Sequence, residues 1–170
     1  MIRQWFAALV VASLGVVAAS CGGDTEPAAS DQLPALTVIG LADGEASRLD
    51  TPAAAPQVIN LWATWCAPCR SELPAFDTVA TAAGPSIAMH GVNVGEDQAT
   101  AASLIAELGI DFAQSVDPSG DITAEVGVAT LPATIFATAD GEILEVHNGA
   151  LDAEQLARSI GDLFGVTVDV

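Results

Sequence analysis

The sequence predicts an α/β fold: a mixed central sheet flanked by helices and preceded by a small N-terminal hairpin. Three observations carry that expectation. Apolar runs of strand length alternate with longer amphipathic stretches in the order β-α-β-α-β-α-β-β-α, which builds a partly parallel sheet covered on both faces. The last two strands, Ala133–Ala137 and Glu142–His147, are separated only by a turn at Asp140-Gly141, too short for a parallel crossover. The chain has 170 residues, 51% of them apolar and 15% charged. About 150 remain once an N-terminal segment is set aside, the size of one domain with a single buried core.

Residues 1–20 read as a signal peptide: Arg3, an apolar run from Trp5 to Ala19, and small residues up to Cys21. The run is shorter than the ~20 residues needed to span a bilayer as a helix. Ala18, Ala19 and Ser20 before Cys21 resemble a bacterial lipobox, with Ala18 where Leu is usual. That resemblance makes Cys21 a lipidated mature N-terminus; a plain cleaved signal and a short uncleaved anchor are the alternatives. Residues 21–33, rich in Gly, Asp, Glu, Pro, Ala and Ser, read as a flexible tether, and residues 34–170 as the folded domain.

Within the domain, Asp43-Gly44 in the stretch from Leu36 marks a hairpin ending before Pro52 and Pro56. Gln57 to Ala63 reads as a central strand, with Val58, Ile59, Leu61 and Trp62 buried on its two faces. A helix follows from Cys66 or Ala67 to Ala83, stopped by Gly84-Pro85 and expected to kink at Pro74. Ile87–Val94 is the next strand, Asp97–Leu108 a helix ended by Gly109, Phe112–Val116 a short strand and Ser119–Val126 a brief helix. Asp152–Phe164 closes the domain as an amphipathic helix capped by Asp152.

Charge and cysteine usage narrow the function. Four arginines, no lysine and 22 acids give a net charge of −18. This excludes a phosphate-binding nucleic-acid protein and favours neutral or basic clients. Of three cysteines, Cys21 has its own explanation, which leaves Cys66 and Cys69. A bridge across two residues closes almost no loop, so the pair reads as chemistry rather than as a staple. In Trp65-Cys66-Ala67-Pro68-Cys69-Arg70 the helix N-terminus favours an exposed Cys66 thiolate, which attacks a client disulfide. Cys69, one turn inward, then displaces the client. Arg70 reads as a solvated helix residue. A lone C-x-x-C is half a zinc site, and His90 and His147 read as strand residues, so neither metal nor cofactor is expected.

Val58 to Pro74 resembles the active-site stretch of the TlpA/ResA-like branch of the thioredoxin superfamily, extracytoplasmic thiol-disulfide oxidoreductases tethered to the membrane. The resemblance extends through Val92-Asn93-Val94-Gly95-Glu96, Gly127 to Phe136 and Asp140 to Ile143, covering roughly residues 34–165. It implies a thioredoxin-like fold with a TlpA-type strand-helix insertion after the active-site helix. It makes Pro132 the cis-proline beside the cysteine pair, leaves the Leu131 backbone free to pair with an extended client, and makes Trp65 a wall of the client groove. Asn60 stands where thioredoxin has a buried acid. Glu96 matches an acid of ResA-like proteins and is the candidate acceptor of the Cys69 proton; its other reading is an acid favoured at a helix start. Glu72, read as a first-turn helix acid, is assigned no catalytic role. The resemblance implies a reductant of protein disulfides, with apocytochrome c as a candidate client and a membrane thiol carrier as electron donor. The rivals are a disulfide-donating oxidant and a client-binding module without turnover. The location implied is outside the cytoplasm, held to the cell membrane through Cys21, or else secreted or periplasmic.

Overall fold

The computed structural model describes residues 31–170. The expected signal peptide, the lipidation at Cys21 and the tether up to residue 30 lie outside the described residues. In chain order the elements are β1 (Thr37–Gly40), β2 (Ala46–Arg48), β3 (Gln57–Trp62), α1 (Ala67–Ala83), β4 (Ala88–Val94) and α2 (Gln98–Leu108). These are followed by β5 (Ala113–Asp117), α3 (Asp121–Glu125), β6 (Ala133–Ala137), β7 (Ile143–Asn148) and α4 (Ala153–Phe164).

All the strands join one sheet in the order β2-β1-β5-β4-β3-β6-β7. β3 runs parallel to β4, and β4 to β5. The β1–β2, β1–β5, β3–β6 and β6–β7 pairs are antiparallel, so the sheet is mixed as the Asp140-Gly141 turn requires. The N-terminal hairpin extends this sheet rather than standing apart, because β1 pairs with β5 (Ile39 with Val116, Gly40 with Ser115). The strand-helix insertion after α1 is α2 with β5.

β3 is buried along its whole length, since helices cover one face of it and α3 with the N-terminal segment covers the other. Strand alternation divides its side chains. Val58 packs with Phe76, Val79, Phe136, Leu156 and Ile160 beneath α1 and α4. Trp62 lies on the same face among Leu73, Ala101 and Leu104 of α1 and α2. Ile59 and Leu61 point the other way, to Val92, Ile122, Val126 and Ile135.

Three expectations need correction. The packed domain begins before residue 34: Leu33 is only 4% exposed, donates its N–H to Gly141 O at 2.8 Å and belongs to the core. The helix expected over 119–126 shrinks to Asp121–Glu125. There the Asp117 carboxylate takes the Ser119 hydroxyl and the N–H groups of Gly120 and Ile122, which holds the preceding residues in a turn. α2 begins at Gln98, with Asp97 outside it as the cap accepting Thr100 N–H at 3.0 Å. Pro74, where a kink was expected, lies inside α1, whose helical assignment continues through it, and it faces solvent. As expected, Asp152 caps α4, and a capping box with Gln155 completes that cap.

Truncating Phe136, fully buried between α1 and α4 and tilted against Phe164, removes the middle of that packing. Phe136→Ala is expected to cost about 3–5 kcal/mol in a urea unfolding titration.

Candidate active site

The loop from β3 to α1 carries the reactive sulfurs. Cys66 is the N-cap of α1, in extended conformation, and its Sγ accepts the N–H of Cys69 at 3.3 Å. A sulfur in that place takes one of the donors that every helix start leaves free, and it sits at the positive end of the helix dipole. Pro68 stands in the first turn, where its missing N–H costs nothing. Cys66 and Cys69 are joined as a disulfide with their Cα atoms 5.3 Å apart.

The sequence reading placed Cys66 at the surface, but in this oxidised state it is 4% exposed and Cys69 is fully buried. Trp65 beside them is 71% exposed. Leu131 packs against the cluster that holds both cysteines, and the Leu131-Pro132 bond is cis. The N–H and C=O of Leu131 make no hydrogen bond among the described residues. An apolar cleft is lined by Trp65, the residue before Cys66, together with Val94, Val128, Thr130 and Leu131. Cys66, Cys69, Trp65, Leu131 and Pro132, more than sixty residues apart in sequence, thus meet at one end of the sheet.

Glu96 reaches this site from the end of β4. Its carboxylate accepts Thr64 N–H at 2.7 Å, the Thr64 hydroxyl, and Asn93 Nδ2 at 2.7 Å. It therefore ties down the loop two residues before Cys66, and its alternative role as a helix-opening acid falls to Asp97.

The acid that sequence reasoning passed over is Glu72. It lies in the second turn of α1, not the first, and only 3% of it is exposed. Asn60 Nδ2 donates to its Oε1 at 2.8 Å and Leu151 N–H to its Oε2 at 2.9 Å, so one carboxyl links β3, α1 and the start of α4. Burial raises it from 4.5 to about 7, against the pull of both hydrogen bonds. The signal was legible: Cys69, Leu73, Phe76, Val79 and Ala83 mark the inward stripe of α1, and Glu72 falls within it. Asn60, a polar residue in an otherwise apolar strand, marked its partner. His90 lies on the opposite face of the sheet against Ser115, and burial there lowers it from 6.5 to about 4.

A thioredoxin-like fold with a cysteine pair bonded across the first turn of a helix, next to a cis-proline loop, defines the class of thioredoxin-fold proteins with a redox-competent C-x-x-C. The Redoxin family model matches residues 28–161, and the chain belongs to that family. It is 32% identical to the thiol:disulfide interchange protein DsbE of Pseudomonas fluorescens biotype C, over 57% of this chain and 53% of that one. It is 28% identical to the thiol-disulfide oxidoreductase ResA of Oceanobacillus iheyensis, over 62% of this chain and 56% of that one. The chain thus spans little more than half the length of these curated relatives. A crystal structure of a secreted Mycobacterium tuberculosis disulfide oxidoreductase homologous to E. coli DsbE superposes with a TM-score of 0.66 at 26% identity. It covers 76% of this chain and 96% of its own.

A carboxyl raised in the fold stabilises the folded state while protonated. The Glu72 contribution is therefore complete below pH 4.5 and is lost as pH rises to about 7. The loss is on the order of 3 kcal/mol. His90 has the opposite sign, its contribution present above pH 6.5 and lost as pH falls towards about 4. Glu72→Gln isolates the first effect: it should unfold at higher denaturant than the parent at pH 8, with the gap closing by pH 4.5. Equal midpoints at pH 8 would show that burial does not raise the Glu72 carboxyl.

Proposed function

We propose that this protein is an extracytoplasmic thiol-disulfide oxidoreductase that exchanges disulfides with protein clients through Cys66 and Cys69. The observation that carries the reading is the Cys66–Cys69 disulfide at the α1 N-terminus, flanked by Trp65 and Leu131, which wall an apolar cleft. The working direction is reduction. The Cys66 thiolate attacks a client disulfide and forms a mixed disulfide, releasing one client thiolate, which takes up a proton. Cys69, deprotonated, attacks the Cys66 sulfur and releases the second client thiolate. Two electrons pass to the client, and the Cys66–Cys69 bond holds the oxidised state. A membrane thiol carrier then returns two electrons, which an oxidising compartment makes necessary.

The client lies along the Leu131-Pro132 segment as an added strand, bonded to the backbone groups that Leu131 does not use in the fold. Glu72, one turn beyond Cys69 on the inward face of α1, takes the proton that Cys69 must lose. Its value of about 7 suits both uptake and release near neutrality. Glu96 acts on the same step by holding Thr64 and with it the loop that presents Cys66. Apocytochrome c, whose haem-binding thiols must be kept open, is the proposed client, following the resemblance to ResA-like proteins. Among the described residues no helix is long and apolar enough to cross a membrane, and a lipid on Cys21 is the proposed anchor.

Cys69→Ala should accumulate client adducts on Cys66 that dithiothreitol releases, while Cys66→Ala should accumulate none. A double variant lacking both sulfurs but keeping full activity would turn the reading into that of a binding module. A reduction potential near that of thioredoxin, about −270 mV, is expected. A value near −120 mV would make the protein an oxidant instead. Incorporation of labelled fatty acid into the full chain, absent in Cys21→Ala, is expected for the anchor; equal labelling of both forms would remove it.

A further inference from the structure

A row of polar side chains crosses the face of the sheet beneath α1. Strand register aligns Thr134 of β6, Asn60 of β3, Gly91 of β4 and Gln114 of β5, and continues to His147 of β7. Among the described residues, the buried side-chain atoms without a hydrogen-bond partner are Asn60 Oδ1, Gln114 Nε2, Thr134 Oγ1 and Asn93 Oδ1. Three of these four lie in this one row. Orphaned polar atoms in a core cost about 1–3 kcal/mol each, and proteins rarely keep them singly, let alone in line.

Gly91 explains how the row is built. A Cβ there would overlap the Gln114 amide, with Cδ and Nε2 only 2.6 Å away. The Gln114 amide thus lies over the glycine, in the space that a side chain of β4 would fill. From there its Oε1 accepts Trp62 Nε1–H at 3.0 Å. Its Nε2 is left without a partner, and the next member of the row beyond Gly91 is Asn60, whose Oδ1 is unpartnered as well. One strand spacing of about 4.8 Å separates Gly91 from Asn60, and the two unpartnered atoms make no direct bond, which leaves a gap of the kind one shared water bridges.

We propose that Gln114 is a positioning residue for Glu72, acting through Asn60. Its amide donates to Asn60 Oδ1 through one water over the Gly91 notch and so keeps the Asn60 amino group on the buried carboxylate. The polarity is consistent along the chain: Trp62 donates to Gln114, Gln114 to Asn60, and Asn60 to Glu72. Without Gln114 the Asn60 amide is free to turn over and accept from a protonated Glu72, which favours the uncharged acid. The inference rests on the proton role of Glu72 for its functional meaning, but not for its test. The other charged or titratable groups around Glu72 are Cys69 on its own helix, Asp152 at the start of α4, on the rim of the groove that Glu72 helps line, and His147 at the end of the row. The variants below leave all of these in place.

The test is direct titration of the Glu72 carboxyl by carbon-13 NMR in the oxidised full-length protein, its signal assigned by loss in Glu72→Gln. Gln114→Met keeps length and volume but has no donor, and should move the midpoint upward by about half a pH unit. Gly91→Ala, which pushes the Gln114 amide aside, should move it the same way. Thr134→Val should leave it in place. An unchanged midpoint in folded Gln114→Met, or a shift in Thr134→Val alone, would overturn the proposal and give the Asn60 acceptor to Thr134. If Glu72→Gln exchanges disulfides with the parent's rate and pH profile, the proton role of Glu72 falls. The NMR midpoints still decide the Gln114 link by themselves.

Discussion

Because Cys66 ends the loop from β3 and caps α1 at once, the packing of that helix on the sheet sets where every reactive group lies. The apolar side of α1, from Leu73 through Phe76 and Val79, seats it over Val58 and Trp62. That seat fixes the helix axis, and the axis fixes which backbone amides point at the Cys66 sulfur. Burial of these large side chains is a non-directional force worth about 1.5–3 kcal/mol each. Here it is converted into a direction, through the hydrogen bond from Cys69 N–H to Cys66 Sγ. The cis-proline loop is set by the same sheet, since β6 begins one residue after the cis-proline and pairs with β3.

The interface between α1 and β3 includes one ionisable group, and a carboxyl there is costly in water-free surroundings. The fold offsets part of the cost with donors from Asn60 and Leu151. An apolar residue at 72 would pack without these donors and would also leave them unpaired. The arrangement fits a site that trades stability for a proton-binding group near its buried sulfur. Glu96 shows the contrasting case. Its carboxylate is held by three donors from Thr64 and Asn93, and it serves the shape of the loop.

Much of this was legible in the sequence because the signals were local. The apolar run of β3, the Asp140-Gly141 turn, the Asp152 cap and the Cys66–Cys69 spacing each depend on neighbours in the chain. The misreadings involved distant partners. Leu33 looked like tether because its neighbours are small and polar, and only Gly141 and the core of the far sheet edge hold it. Asp117 fell between the expected strand and helix and was given no role, yet its side chain displaces the start of α3. Glu72 was judged by its distance from the helix start, when its angular position on α1 decides its surroundings. Gln114 carried no signal, since its role depends on a glycine one strand away.

The reactive pair closes a ring over only two intervening residues, yet the pocket beside it draws on residues as distant as Val94 and Leu131. An external thiol oxidant can therefore close this pair before any tertiary order exists, without locking the backbone into a wrong topology. No other thiol among the described residues competes for either sulfur. The cleft that Leu131 and Trp65 line, by contrast, takes shape only once β6 has paired with β3, so a half-folded molecule carries the cysteine pair without that surface.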